Sequence, residues 1–478
     1  MKKFLVLTAF VLAALIAAGC VLVSSPARSQ DEIGWDVRTL AGDESAARGF
    51  SVSMDTAGPE CLEWHTDYPI GGAPDTGFDF SFGGVSYTGY KRDAGIYFST
   101  SLNTGISSTN EITMEDILNN SFGTAVAADA IAAAISAAAG KSCTVRLRLC
   151  DYYEYYPLGI SVSIDGVLVS TPEGYLDSVW TEDDCFRQAL RRAFRIPVPE
   201  NVYLDVALGY TAGALTDITT QMSDNGDVYI SSSAVETPEG VYFAVHAEYS
   251  GERADEPDTS LFPGGGEGIF FVPVRSLKEG RVLDETGLCN VYPLEGGAAL
   301  IGLDADETAL LLVQRAYLQT RLDVIDRAES KLSRSILLGK GEDVYLERTL
   351  TSDGLRVYVF SDRSFTAVCG ENGKYSVVLT GELPETLYLD YTFADAAWDG
   401  NRLAIGSVMT YYEDENGMRT SYRQYCTDFT VAVFSDEGTL FYGEYYSSLD
   451  AQPRQAELYP YNKLCRTMAF SLESGRRM

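Results

Sequence analysis

The stretch from Ala298 to Leu338 constrains the fold most tightly, because it reads as four β-strands in succession. ALIGLD rises to a turn at Asp304 and Asp306, TALLLVQRAYL returns, TRLDVID pairs with it, and SILLG closes the unit after a polar AESKL turn. Within these pieces Ile301 and Leu303, Leu310 and Leu312, and Leu322 and Val324 stand two apart, as one continuous apolar strand face requires, and Ile336 joins them. The sheet they build is apolar on both sides, so it cannot be stable alone. It must stack between similar sheets that cover its faces and protect its edges.

The same rhythm recurs on either side. DVYISSS, GVYFAVHAEY, GIFFVPV and CNVYPL come before it; VYLERTL, LRVYVFS, SFTAVC and YSVVLTG follow, then RLAIGSV, DFTVAVF, TLFYGEYY and finally RTMAFSLES. If GIFFVPV, TRLDVID, SFTAVC and DFTVAVF are equivalent third strands, they begin near residues 268, 320, 364 and 428, at intervals of 52, 44 and 64. The long interval holds a charged hairpin, Tyr411 to Tyr422, with an Asn416-Gly417 turn, and reads as an insertion. In this rhythm the chain resembles degenerate β-propeller repeats of the WD40-like and YVTN-like kind, with TRLDVID and AESKL in the place of a blade's strand and turn. The Trp-Asp and Tyr-Val-Thr-Asn signatures themselves are missing. In layout it also resembles the uncharacterised membrane-anchored propeller proteins of Gram-positive bacteria. The resemblance implies an all-β fold, a β-propeller of about seven blades over residues 35–478 with a small helical insertion near 113–196. Closing such a ring needs the chain ends to join. The last strand, Arg466 to Ser471, has no hairpin partner after it, so it is expected to pair with a strand in the region Trp35 to Met54.

The N-terminus has a different character. Lys2 and Lys3 precede an uncharged apolar run from Phe4 to Val23, long enough to cross a bilayer, and residues 24–34 read as a linker. The positive end stays in the cytoplasm, which puts the bulk of the chain outside. Three readings remain open: a cleaved signal peptide, an uncleaved anchor, and a lipoprotein signal ending at Ala17, Ala18, Gly19 and Cys20. The anchor is favoured, because Val21, Leu22 and Val23 extend the apolar run past the cysteine.

Before residue 113 the segments GFSVSM, CLEWHTDY, FDFSF, GVSYTGY and AGIYFST are strand-like. Thr113 then caps a helix with Glu115 and Asp116 in its first turn, and the Ala-rich stretch Ala125 to Ala139 is stopped by Gly140. A further helix begins after Thr181, places Phe186, Leu190, Ala193 and Phe194 on one face, and stops at Pro197. Around these helices lies a basic island: Lys141, Arg146, Arg148, Arg187, Arg191, Arg192 and Arg195. It reads either as a surface for an anionic polymer or headgroup, or as arginines that neutralise nearby carboxylates.

Net charge is −32, so nucleic acid is repelled and excluded as a partner. The nine cysteines show no CxxC and no small-secreted framework; Cys143 and Cys150 are the candidate disulfide pair. With only His65 and His246, a His-rich metal centre is excluded. No metal or cofactor is expected. Walker A, HExxH, SxxK and GxSxG motifs are missing, and Gly264 to Gly268 completes no dinucleotide fingerprint. Asp75-Thr76-Gly77 matches an aspartic-protease tripeptide but sits in a turn context. The acidic groups around Asp304 and Asp306, and around Asp224 and Asp227, fit turn chemistry better than calcium binding. His65, beside Trp64 and two residues before Asp67, is the most site-like singleton. Tyr152 and Tyr153 offer aromatic contact area for a partner. The residues put forward for binding are therefore Trp64, His65, Tyr152, Tyr153, Arg187, Arg191, Arg192 and Arg195, with no catalytic set. The expected function is an extracytoplasmic, membrane-tethered platform for a protein or glycan partner. The alternative is a carbohydrate-binding or hydrolytic propeller working through a central funnel.

Overall fold

The computed structural model describes residues 35–475, except 58–61, 81–94, 101, 120–126, 165–166, 172–173, 178–184, 224–225, 250–255, 277–280, 353, 390–392, 410, 414–418, 422–427 and 448–465. The apolar N-terminal run, Cys20 and Thr181 lie outside the described residues. The described chain is mostly β, in small antiparallel sheets. None of its helices is long and apolar enough to cross a membrane. It divides into two compact units, Met1–Lys91 with Leu338–Met478, and Arg92–Leu337.

In the second unit the opening stretch forms the expected sheet. Ala299–Ala305, Ala309–Ala316, Gln319–Asp326 and Lys331–Lys340 pair in chain order, all antiparallel through the third strand. Every residue of the second strand except Arg315 is buried, as a strand covered on both faces demands. On one face Leu303, Leu310, Leu312 and Ile325 share a core with Ala244 and Ile269 of the preceding sheet. The turns rest on carboxylates: Asp306 Oδ1 accepts from the N–H groups of Thr308 and Ala309 at 2.7 and 2.6 Å, and Asp326 Oδ1 from those of Ala328 and Glu329. Such Asx turns give part of the chain's negative charge a local job.

The preceding sheet runs Val228–Thr237, Gly240–Tyr249, Gly268–Ser276, and there it forks. Residues 268–271 pair with Cys289–Pro293, while residues 274–276 pair with Arg281–Leu283, which continues into Val167–Thr171 and Gly174–Asp177. A further sheet orders Thr104–Ser107, Ala214–Met222, Tyr203–Thr211 and Cys143–Arg148. Among the described residues, three α-helices lie among these strands: α1 (Met114–Asn119), α2 (Ala128–Ala138) and α3 (Cys185–Ala193). Thr113 caps α1 reciprocally with Asp116: its Oγ1 accepts from the Asp116 N–H at 3.2 Å, and its own N–H donates to the Asp116 carboxylate at 2.7 Å. α2 ends at Ala139 in the left-handed region, followed by Gly140. Small residues let it pack closely, with Ala130, Ile131 and Ala134 fully buried. Phe194, just past α3, packs its ring against Phe98, Phe243, Phe262 and Phe270 at centroid distances of 5.2, 5.8, 5.0 and 4.8 Å.

The first unit contains three sheets of four or more strands among its described residues. Leu346–Ser352, Leu355–Phe360, Ser364–Glu371 and Lys374–Glu382 pair in chain order. Ala394–Trp398, Leu403–Val408, Phe429–Ser435 and Gly438–Ser447 do likewise, and Trp35–Gly42 adds a fifth strand on Gly438–Ser447. The hairpin Tyr411–Glu413 with Arg419–Ser421 interrupts this sheet between its second and third strands, as the spacing implied. The third sheet joins the chain ends: Arg466–Ser474 pairs with Phe50–Ala57, followed by Leu62–Pro69 and Asp75–Phe80. The expected end-to-end pairing is thus present within this unit.

The assumed repeat phase also holds. Gly268–Ser276, Gln319–Asp326, Ser364–Glu371 and Phe429–Ser435 each occupy the third position of their sheets. Two details differ from the sequence reading. The strand written as TALLLVQRAYL ends at Ala316, because Tyr317 and Leu318 form the turn. Cys143 and Cys150 are both free. They flank the strand Cys143–Arg148, and an extended chain at about 3.3 Å per residue separates them far beyond disulfide reach.

Candidate functional site

Alternation in SVSMD places Ser51, Ser53 and Asp55 on one face of the strand Phe50–Ala57, and buried Val52 and Met54 on the other. Register then sets His65 opposite Asp55, and Asp67 opposite Ser53. The next strand brings Gly77 opposite His65 and Asp75 opposite Asp67. His65 Nδ1 lies 2.6 Å from Asp55 Oδ1, and Nε2 lies 3.2 Å from Asp67 Oδ1 and 3.3 Å from Ser53 Oγ. The three charged side chains are just over half exposed, at 53%, 56% and 58% for His65, Asp55 and Asp67. The hydrogen bond to Asp55, helped by the charges of Asp67 and Asp55, raises the imidazole pKa above its ordinary value against the opposing effect of desolvation. Trp64 occupies the adjacent strand position, opposite Thr56 and Phe78.

Ser53, His65 and Asp55 have the separations of a nucleophile, a base and an orienting carboxylate. The chemistry is nonetheless unfavourable for acyl transfer. Nε2 is shared with Asp67, and the two carboxylates favour the protonated ring, which cannot take the Ser53 proton. Among the described residues no three His, Cys, Asp or Glu side chains converge as metal ligands.

His246 is held similarly but inside the protein. Its Nδ1 lies 2.7 Å from Glu267 Oε2 and its Nε2 3.9 Å from Glu248, with the imidazole 10% exposed. Glu267 Oε1 also accepts the N–H of Ala247 at 2.9 Å, so this one carboxylate, carried by the glycine-rich loop, clasps both side chain and backbone of the neighbouring strand. Burial alone would push the His246 pKa down. The Glu267 hydrogen bond and the charges of Glu267, Glu248 and Glu256 outweigh it, and the pKa is raised.

The arginine and tyrosine candidates fall around α3 and the start of α2. Arg187 is buried, Arg191 donates from Nε to the Leu158 carbonyl at 3.0 Å, and Arg195 stacks on Tyr155 at 4.9 Å. Arg192 is exposed. Of the other basic residues, Arg146 forms a bidentate pair with Asp205 and Arg148 pairs with Asp151. Tyr152 is 37% exposed. Tyr153 is half-buried, its pKa pushed up to about 12 mainly by burial, with its hydroxyl against the backbone of Ala130 and Asp129. It there takes the place of a cap for α2, whose N-cap Ala127 has no side-chain acceptor.

A feature the sequence reading passed over is the tip between Ala309–Ala316 and Gln319–Asp326. Ala316 pairs with Gln319, leaving a two-residue turn in which Tyr317 and Leu318 have φ of 48° and 68°. Among the described residues, the two-residue hairpins Ala212-Gly213 and Asn372-Gly373 share this left-handed geometry, and both end in glycine. Tyr317 is 87% exposed and Leu318 50%, so no internal packing repays the strain. The available signal was the missing Gly or Asn where two strong strands meet.

No protein-family model matches the chain, and no curated protein matches it. Solved structures similar to it include the Cps50 (Swd1) β-propeller domain of Myceliophteria thermophila, at 9% identity over 59% of this chain and 95% of that one, with a TM-score of 0.19. The Neurospora crassa Pan2 WD40 domain is similar at 9% identity over 52% and 61%, TM-score 0.19. Apo AztD from Citrobacter koseri is similar at 7% identity over 67% and 92%, TM-score 0.23. At these TM-scores the likenesses carry no argument about this chain.

Proposed function

We propose that the chain is a membrane-tethered, extracytoplasmic β-propeller that serves as a protein-binding platform, of the general layout of membrane-anchored propeller proteins in Gram-positive bacteria. The observation that carries this reading is the Tyr317-Leu318 tip. A left-handed conformation costs an ordinary residue about 1–2 kcal/mol, and two such residues here present an aromatic and an aliphatic side chain to solvent. Strain without internal packing is what a surface kept for an external contact would show. The meander sheets in constant phase support the propeller, and the Lys2-Lys3 apolar run supports the tether.

The test is a photo-crosslinking residue placed at position 317, at 318, or at the control tip position 372, in intact cells. A discrete protein adduct from 317 and 318 but not from 372 is expected. Adducts of equal yield from all three positions, or none from any, would refute the tip as the docking element. Palmitate labelling with intact mass separates a lipidated Cys20 from an uncleaved anchor.

A further inference from the structure

The sheet of Ala299–Lys340 carries a polar group inside its apolar core. Leu310, Leu312 and Ile325 share that core with Ala244 and Ile269, and period-two alternation places Gln314, Arg321 and Asp323 on the same face. Asp323 is 1% exposed and Gln314 2%. Gln314 Nε2 and, at 3.2 Å, Arg321 Nε both donate to one carboxylate oxygen, Asp323 Oδ2. The other carboxylate oxygen, Asp323 Oδ1, and the amide oxygen, Gln314 Oε1, accept from no group among the described residues. A buried acceptor left without a donor costs about 1–3 kcal/mol, and the great majority of buried polar groups are paired. Two such oxygens, on side chains hydrogen-bonded to each other, mark a place for donors that the chain itself does not supply.

Arg321 connects this place to the surface. Its side chain is 27% exposed, and its Nη2 donates to Glu295, which is 56% exposed. One guanidinium therefore stands between two carboxylates and neutralises one of them. The residual negative charge favours a cationic donor over water, since a charge-assisted hydrogen bond is about twice as strong as a neutral one. We propose that Gln314 Oε1 and Asp323 Oδ1 receive a primary ammonium group, from a small amine or a lysine side chain, which enters as Arg321 swings outward with Glu295. Two of the three ammonium N–H groups pair with the two oxygens. A quaternary ammonium has the same charge but no N–H to give. The site does not depend on the role of the Tyr317-Leu318 tip.

The test follows the side-chain amide of Gln314 by NMR in full-length protein carrying 15N-glutamine, with the signal assigned by its loss in Gln314→Leu. The protein is titrated in parallel with n-butylammonium, with Nα-acetyl-lysinamide and with tetramethylammonium chloride. Saturable movement with n-butylammonium and none with tetramethylammonium is expected. A matching response to the lysinamide assigns a lysine side chain as the source, and a response to n-butylammonium alone assigns a small amine. Asp323→Asn should weaken binding at least about tenfold, the loss of a hydrogen bond to a charged group. Arg321→Ala leaves both oxygens in place and removes the competing cation, so it should bind about tenfold more tightly; an arginine with a purely structural role would give no gain. The proposal is overturned if the Gln314 signal moves with neither amine, if tetramethylammonium moves it equally, if Asp323→Asn binds as well as the unaltered chain, or if Arg321→Ala binds no more tightly.

Discussion

Two four-stranded sheets of similar size are assembled in opposite ways. The sheet of Ala299–Lys340 is a run of consecutive hairpins, and its pairings are local. The sheet containing His65 takes its first strand, Arg466–Ser474, from the far end of the chain and the rest from Phe50–Phe80. Loop-closure entropy makes the first arrangement cheap and the second dependent on the rest of its unit being folded. The two also present different chemistry: a strained apolar tip on the local sheet, and a polar Ser, Asp and His face on the end-joining one. Local assembly tolerates strain at one turn, whereas a long-range pairing is the point at which a whole unit can be opened.

Ending the chain at Leu464 should give the largest effect. The strand Phe50–Ala57 loses its partner, and Asp395 loses the Leu472 N–H that its carboxylate accepts at 2.8 Å. Thermal unfolding should show the transition of the first unit lost or sharply lowered and that of the second unchanged. An intact first transition would mean that the end-joining strand is ornamental. Next in size, Leu312→Ala on the local sheet, where Leu312 is fully buried, should cost about 2–5 kcal/mol by denaturant titration and act on the second unit alone. A smaller change of opposite sign is expected from Tyr317→Asn with Leu318→Gly. Relief of the left-handed strain should stabilise by about 1 kcal/mol. No gain in stability would mean that the tip is not strained.

The mildest test uses pH. The pKa of His246 is raised in the folded state, so its contribution to stability is fully present below the ordinary imidazole range and is lost as pH rises through the raised value. The midpoint of the second unit should therefore fall with rising pH across that window, and His246→Gln should flatten the slope. A slope unchanged by the substitution would assign the pH response to other groups.

How much of this was legible follows the same division. Period-two alternation and turn carboxylates made the local sheets readable, down to the third-strand phase and the inserted hairpin. Thr113 with Asp116, and Gly140 after the alanines, marked helix ends because capping chemistry is local. The end-to-end pairing was readable only by elimination, from a last strand without a hairpin partner. The forked sheet around Gly268–Ser276 was not readable, since short strands such as Arg281–Leu283 carry too few residues to declare a pairing. At the candidate site, His65 stood out as a singleton in CLEWHTDY, beside Trp64. Ser53 and Asp55 did not, because register across strands is a tertiary fact.

The central claim is that the last strand holds the first unit together, and amide hydrogen exchange on Phe50–Ala57 tests it most directly. In the full chain these amides should be protected as strongly as those of Phe429–Ser435. In the chain ending at Leu464 they should exchange freely and the protection of Phe429–Ser435 should fall with them. Protection unchanged in the shortened chain would contradict the account.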